Sequence, residues 1–134
     1  MRDALEKISH VSDSLLEPEM ALSIVEDATD AIVIVRNDAT IFFLNKQAEF
    51  LFGYHRSELY DKPIHMLVPE EIRERHSNHV ATFLAEPRIR PMGLGMSLKG
   101  LRKDGSTFEA EINLSPLVVR QGLFVVAAVR KKRA

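Results

Sequence analysis

The chain has 134 residues, 46% of them hydrophobic and 28% charged, which is the size and balance of one compact globular domain rather than of a disordered or fibrous chain. Its formal net charge of -1 argues against a nucleic-acid surface, because neutralising phosphates needs a basic excess on one face. It has no cysteine, which excludes disulfides, thiolate metal sites, nucleophilic thiols and cysteinyl-flavin photochemistry.

The first predicted element is an amphipathic helix over residues 2–16. Apolar residues recur there at three- and four-residue steps with charged residues between them, and that spacing gathers the apolar side chains on one face. The face is formed by Leu5, Ile8, Val11 and Leu15. Pro18 then interrupts the pattern, and a second short helix is predicted over residues 19–28. We therefore divide the chain into a leading helix, residues 1–17, and a domain, residues 18–134.

The next elements are a hairpin and a group of helices. Residues 31–36 and 40–44 are rich in β-branched and apolar residues and flank an Asn-Asp turn, which predicts two paired strands. A helical pattern begins after Asn45, whose side chain is expected to cap the helix by accepting a backbone N–H, and it stops at Gly53. Further helices are predicted over residues 57–60, 64–67 and 69–85.

Three extended segments complete the pattern. Pro87 and Pro91 end the long helix and open a loop rich in methionine and glycine. The extended segments lie at residues 95–102, 107–114 and 122–131. A tight turn is predicted at Asp104-Gly105, because this pair adopts the positive φ values that hairpin turns need. The order of two strands, several helices and three strands indicates the α+β class.

The last two segments differ in their faces. Apolar and polar residues alternate over residues 107–114, which predicts one buried and one wetter face. The segment at residues 122–131 is apolar on both faces, so the outer side of the sheet must be covered there. The nearest candidate is the leading helix or its copy from a second chain. The pattern therefore predicts a homodimer formed through the leading helix and the outer sheet face.

Four spaced motifs give the chain a family resemblance. They are DAIVIV at 30–35, FLNKQAE at 43–49, FGYHRSEL at 52–59 and RKDGSTF at 102–108. In this order and spacing the sequence resembles the PAS family of sensory domains over residues 20–131. The resemblance implies a five-stranded antiparallel sheet with short helices over one face, preceded by the amphipathic helix. It also implies an ion pair between Glu58 and Lys103, which would clip the helical side to the turn of Asp104 and Gly105.

His76 is the residue at which the resemblance points to a cofactor. Haem-binding oxygen sensors of the PAS family carry their proximal histidine on the long helix, and Arg75-His76 resembles that position. Met96 stands where those sensors place a distal residue, arginine in one branch and methionine in another. PAS domains without haem carry a similar Arg-His pair, so a haem-free interpretation stays open. His79 shares a helix face with His76, which leaves a two-histidine metal site as a further alternative.

The predicted function is that of a signalling module which binds a small ligand or a partner and couples it to dimer packing. One alternative is a haem-based gas or redox sensor, with His76 as axial iron ligand and Met96 as its partner or guard. Another is a ligand-free dimerisation module. Flavin is disfavoured, because the chain has no tryptophan to stack on its ring system. The expected pocket residues are Ile32, Ile34, Phe43, Leu51, Phe52, Met66, Phe83, Met96, Ile112 and Val125.

An enzyme is the least expected class, because no pair of nucleophile and base can be named. No apolar run approaches the roughly 20 residues of a membrane span, and the amino end lacks the apolar core of a secretory signal. We therefore expect a cytoplasmic module without membrane or nucleic-acid partners. Its expected partner is an output domain or another signalling protein.

Overall fold

The structure is a computed structural model that describes residues 23–85, 90–92 and 98–132, with the backbone alone at 90–92. A helical turn at residues 23–26 precedes the first strand. The described elements are then β1 (Ala31–Arg36), β2 (Ile41–Leu44), α1 (Lys46–Phe52), 3-10 helices at Arg56–Glu58, Ile64–Leu67 and Glu70–Ile72, α2 (Arg73–Ala85), β3 (Arg90–Met92), β4 (Lys99–Leu101), β5 (Thr107–Val119) and β6 (Gly122–Lys131). This is the α+β order that the sequence predicts.

The strands form an antiparallel sheet in the order β2-β1-β6-β5-β3, with β4 also paired to β5. β3 and β4 pair with successive stretches of one edge of β5, Met92 opposite Ile112 and Lys99 opposite Glu109. The two short segments therefore share the outermost position of a five-stranded sheet. The predicted fold class is confirmed.

β1 lies inside the sheet, between β2 and β6. It pairs with β6 residue by residue, from Ala31 opposite Val129 to Arg36 opposite Phe124. This confirms the expected pairing of the first strand with the last. Because β1 has a neighbouring strand on each side, its β-branched side chains pack against side chains of β2 and β6 as well as against the helical side.

Two predicted boundaries are wrong. The sequence pattern ends the strand of residues 107–114 at Leu114, but β5 continues to Val119 because β6 pairs with it throughout. Pro91 is expected in a loop, yet the structure places it in β3 at the edge of the sheet, where a residue without an N–H is tolerated.

The leading helix, with its residues Leu5, Ile8, Val11 and Leu15, lies outside the described residues.

The helices cover one face of the sheet, and the core lies between them. Along β5, Phe108 and Ala110 are buried whereas Glu109 and Glu111 are exposed, which confirms the predicted alternation. α1 contributes its buried face to the same core. The core includes Val33, Val35, Ile41, Leu44, Ala48, Phe52, Leu59, Phe83 and Val125.

Asn45 ties the start of α1 to the segment before β1. Its side-chain oxygen accepts hydrogen bonds from the backbone N–H of Ala48, at 3.0 Å, and of Ile32, at 2.9 Å. Its side-chain nitrogen donates to the carbonyl oxygens of Val25, at 2.9 Å, and Asp30, at 3.0 Å. The side chain is fully buried, so all four bonds form away from water. Asn45 is thus a helix cap and also a junction between three segments.

The other end of α1 is held by the turn between β4 and β5. The helix stops at Gly53, whose φ of 78° is a left-handed conformation that glycine adopts without strain. The backbone N–H of Lys103 donates to the carbonyl of Phe52 at 2.9 Å. Lys103 Nζ also pairs with Glu58 Oε1 in the exposed clip that the family resemblance implies. Because this ion pair is exposed to solvent, the backbone hydrogen bond between Lys103 and Phe52 contributes more to the joint.

The β4–β5 turn has the geometry that an Asp-Gly pair predicts. Gly105 has a φ of 90°. The carboxylate of Asp104 accepts hydrogen bonds from the backbone N–H and the hydroxyl of Ser106, at 2.9 and 2.6 Å. These bonds lower the pKa of Asp104 below its ordinary value. The turn therefore holds the neighbouring residue Lys103 in place against α1.

Gly100 brings β4 against the ring of Phe108. A Cβ atom at Gly100 would lie 2.3 Å from Phe108 Cζ, which is closer than non-bonded atoms can approach. Phe108 packs in turn against Phe52, with ring centroids 5.4 Å apart. Gly100, Phe108 and Phe52 therefore pack together where α1 contacts the sheet.

Candidate functional site

A cavity of about 280 Å³ lies between α2 and the inner face of the sheet. Its volume is close to the lower end of the range for ligand pockets, roughly 300–1,000 Å³. The sheet contributes Ile112, Val125 and Ala127, and α2 contributes His76 and Phe83. A mostly apolar cavity with a few polar groups is the usual form of a small-molecule site, so this is the candidate site.

The charged residues that line the cavity are all basic within the described part of the chain. They are Arg36, Arg75 and Lys99. Arg36 is already paired with Asp61 at 2.8 Å, Lys99 lies opposite Glu109 of β5, and Arg75 has an exposed side chain. This lining favours a ligand with an apolar body and a negatively charged end.

The structure brings together about half of the expected pocket residues. Phe52, His76, Phe83, Ile112 and Val125 all line the cavity. Leu51 and Met66 pack against the core, partly buried, without lining the cavity. Met96 lies outside the described residues.

Ile32, Ile34 and Phe43, which are expected on the cavity wall, are not among the residues that line the cavity. Side chains alternate along a strand, and Ile34 lies opposite Phe43 on the outer face of the sheet. Val33 and Val35 line the cavity instead. The sequence could not distinguish the two faces, because five successive residues of β1 are apolar and give no alternation.

His76 presents a partly buried imidazole beside the cavity. Its Nδ1 has no hydrogen-bond partner among the described residues and is inaccessible to solvent. Burial lowers the pKa of His76 from 6.5 to about 4, and the positive charges that His65 and His79 can carry lower it further. At neutral pH this imidazole is therefore uncharged, and a lone pair on its ring can accept a proton or bind a metal.

The two neighbouring histidines do not complete a metal site with His76. The His65 ring meets the His76 ring edge to face, with centroids 5.3 Å apart, and its Nε2 lies 2.8 Å from the hydroxyl of Ser77. His79 lines the cavity one helical turn from His76. Within the residues that the structure describes, no group of three or more metal-binding side chains converges. The two-histidine alternative therefore gains no third ligand there.

The sequence from residue 19 to residue 131 matches the family model described as the PAS fold. The chain belongs to the PAS family. The strand order and the helices over one face of the PAS sheet agree with this match. The chain is accordingly a domain of a family whose curated members include sensor proteins.

Two curated sensor proteins are similar to this PAS domain. It is 26% identical over 95 residues to the sensor protein FixL of Bradyrhizobium diazoefficiens, a match that covers 71% of the chain and 19% of that protein. It is 32% identical over 100 residues to the oxygen sensor protein DosP of Escherichia coli, covering 75% of the chain and 12% of that protein. The chain therefore spans less than a fifth of the length of either relative.

Solved structures share the fold. The PAS domain of a two-component sensor histidine kinase has a TM-score of 0.72 at 17% identity, covering 89% of this chain and 99% of that one. The PAS domain of an HTR-like protein from Haloarcula marismortui has a TM-score of 0.67 at 23% identity, covering 82% and 92%. Among the described residues, no helix is both long enough and apolar enough to cross a membrane.

Proposed function

We propose that this PAS domain is a sensory module that binds haem in the cavity between α2 and the sheet, with His76 as the axial ligand. The observation that carries the proposal is the buried Nδ1 atom of His76, which lies beside an apolar cavity and lacks a partner among the described residues. Buried polar atoms are nearly always paired, so an unpaired one at a pocket calls for a functional reason. A neutral imidazole in an apolar cavity suits the axial position of a haem iron.

The residues around His76 fit this role. Haem, when bound, supplies an iron that binds gases or changes its redox state. The low pKa of His76, about 4, keeps the imidazole unprotonated at neutral pH. Phe83 and Val125 present apolar surface to the cavity, and Arg75 brings positive charge suited to a carboxylate on a ligand. Met96, the expected partner or guard of the iron, stays a prediction.

The relatives add independent support. One is named an oxygen sensor, and its similarity extends over 100 residues, 75% of this chain. The other is named a sensor protein. Both matches include most of the domain, so a shared sensory role follows more directly from them than an enzymatic one. We propose accordingly that the domain acts by binding rather than by catalysis.

Titration of the purified chain with haemin, followed by visible absorption, tests the proposal. The unchanged protein is expected to develop a sharp Soret band, and His76→Ala is expected to bind at least about ten-fold more weakly, since a metal ligand is lost. His79→Ala is the matched control, because His79 lines the same cavity from the same helix, and its band should match that of the unchanged protein. A Soret band that is identical in His76→Ala, or absent from the unchanged protein, would rule out haem ligation by His76.

A haem-free organic ligand is the second candidate. The observation that favours it is the lining itself, which combines apolar walls with basic residues and needs no metal to recognise an amphiphilic anion. A native mass spectrum that shows another bound molecule, together with the absence of a Soret band, would select this alternative.

We also propose that the domain forms a homodimer through the leading helix and the outer face of the sheet, and that this interface passes the signal to an output domain or a partner protein. Part of that face is apolar: Phe42 is 48% exposed and packs edge to face on Phe124 with centroids 5.0 Å apart. An exposed aromatic pair of this kind is typical of an interface.

Sedimentation of helix variants tests the dimer. Leu5→Asp combined with Ile8→Asp places charges on the apolar face of the leading helix and is expected to convert dimer to monomer. Lys7→Asp adds the same side chain on the charged side of that helix and should leave the dimer intact. A monomer at high concentration for the unchanged chain would remove the homodimer. A dimer that binds neither haem nor another ligand would instead support the ligand-free dimerisation module.

A further inference from the structure

Arg56 joins the segment before β1 to α1 through two carboxylates. Its Nη1 and Nη2 each donate to Glu26, both at 2.7 Å. Its Nε and Nη2 donate to Glu49 at 3.1 and 2.8 Å, and its backbone N–H donates to the same carboxylate at 2.7 Å. Glu26 also accepts from the backbone N–H of Lys46, the first residue of α1, at 2.9 Å. We name Glu26, Arg56 and Glu49 the carboxylate clasp.

The carboxylate clasp is better shielded than an ordinary surface ion pair. The side chains of Arg56, Glu26 and Glu49 are 24%, 25% and 20% exposed, whereas Arg130, which pairs with Asp30, is 67% exposed. Hydrogen bonds from Arg56 lower the pKa of both glutamates, and the glutamates raise the pKa of Arg56. Paired Arg–carboxylate contacts of this geometry are strong and directional. The clasp therefore fixes the segment before β1 to α1.

α1 connects the carboxylate clasp to the cavity. Its first residue, Lys46, is bound by Glu26, and its last residue, Phe52, lines the cavity. Phe52 is nearly fully buried and packs against Phe108, so a change in the cavity wall acts on it directly. With only 7 residues, α1 is about two turns long.

We propose that the carboxylate clasp transmits changes at the cavity wall to residues 23–30, with α1 as the moving element. When Phe52 shifts, Glu49 and the N–H of Lys46 shift with the helix. Glu26 must then follow or release its partners, and either outcome changes the path of the chain before β1. Such transmission needs two arrangements of this joint whose relative free energy depends on the state of the cavity wall. The proposal does not depend on which ligand fills the cavity.

Hydrogen exchange in the ligand-free full chain tests the transmission. The readout is the amide exchange rate of residues 23–30, in the unchanged chain, Phe52→Leu, Glu26→Gln and the double variant. Phe52→Leu is expected to accelerate amide exchange about three- to ten-fold when the clasp is intact. In the Glu26→Gln background the same substitution should accelerate exchange less than about two-fold, because the effects of coupled sites are not additive. Asp30→Asn is the matched control, because it removes the exposed pair with Arg130 from the same segment and should leave the full response to Phe52→Leu.

Equal acceleration with and without Glu26, or no acceleration when the clasp is intact, would overturn the proposal. Loss of the response to Phe52→Leu in the Asp30→Asn background would also overturn the proposal. Breaking any ion pair of residues 23–30 would then be enough to remove the response. If Phe52→Leu does not fold, Phe52→Met makes a smaller change at the same position and serves in its place. Haem takes no part in this measurement, so the clasp and the haem proposal fail separately.

Discussion

Replacing Asn45 with alanine is expected to lower the free energy of unfolding by about 3–5 kcal/mol. The substitution removes four hydrogen bonds at once, two accepted by the side-chain oxygen and two donated by its nitrogen. It leaves the backbone N–H groups of Ile32 and Ala48 and the carbonyl of Asp30 without this partner, next to a side-chain position that is fully buried. The Val25 carbonyl, in contrast, keeps a bond from the Ala28 N–H. Each buried unpaired group costs about 1–3 kcal/mol, and water that enters the gap offsets part of the total.

Urea unfolding monitored by circular dichroism measures this loss of stability. Asn37→Ala is the matched control, because Asn37 is exposed in the turn between β1 and β2, and it should change the free energy of unfolding by less than about 0.5 kcal/mol. A loss below about 1 kcal/mol for Asn45→Ala would show that solvent replaces the amide without difficulty, which contradicts its burial.

The ligand-free protein is expected to lose about 1–2 kcal/mol of stability between pH 7 and pH 4 because of His76, less than the full pKa shift would give because the side chain is only partly shielded from solvent. Burial lowers the pKa of its imidazole from 6.5 to about 4 in the folded protein. Between these two values the unfolded chain binds a proton that the folded chain does not. Proton binding therefore favours the unfolded chain, so the folded protein loses stability as the pH falls from 6.5 to about 4 and loses none from this group above pH 6.5.

His76→Leu is expected to remove this pH dependence and to stabilise the ligand-free protein at pH 7 by about 1–2 kcal/mol. The reason is that an apolar side chain replaces a buried nitrogen without a partner among the described residues. Urea unfolding at pH 7 and pH 4 measures both effects, and His79→Leu controls for the neighbouring position. If His76→Leu keeps the pH slope or is destabilised at pH 7, His76 is a structural residue and its imidazole is not the buried neutral group inferred above.

The parts of the fold that depend on local chemistry could be predicted from the sequence. Asn45, Gly53 and Gly105 each specify backbone geometry within a few residues, and the observed φ values at the glycines are 78° and 90°. The solvent-exposed face of β5 is likewise indicated by the alternation of apolar and polar residues in its sequence. Pro91 misled the prediction, because an edge strand uses only some of its N–H groups and so tolerates proline.

The candidate site could be predicted only in part, for two physical reasons. His76 and Phe83 lie on one helix with a recognisable motif, so their common placement on the cavity is encoded locally. The apolar run of β1 does not indicate which face points to the cavity, so the sequence does not identify Val33 as a lining residue. The pairing of Arg56 with Glu26 spans 30 residues and arises from the folded path of the chain, so no local pattern specifies it.

The position of β1 between β2 and β6 sets the order in which the domain can be completed during synthesis. β1 leaves the ribosome before its partner β6, which is the last described strand of the domain and follows four other strands and the helices. Until then one edge of β1 has exposed hydrogen-bonding groups next to apolar side chains such as Val33, and such edges associate with other chains. Pairing between two strands that are far apart in sequence, such as β1 and β6, is also slow to form. A nascent chain that stalls before Gly122 therefore becomes a substrate for chaperones or for aggregation.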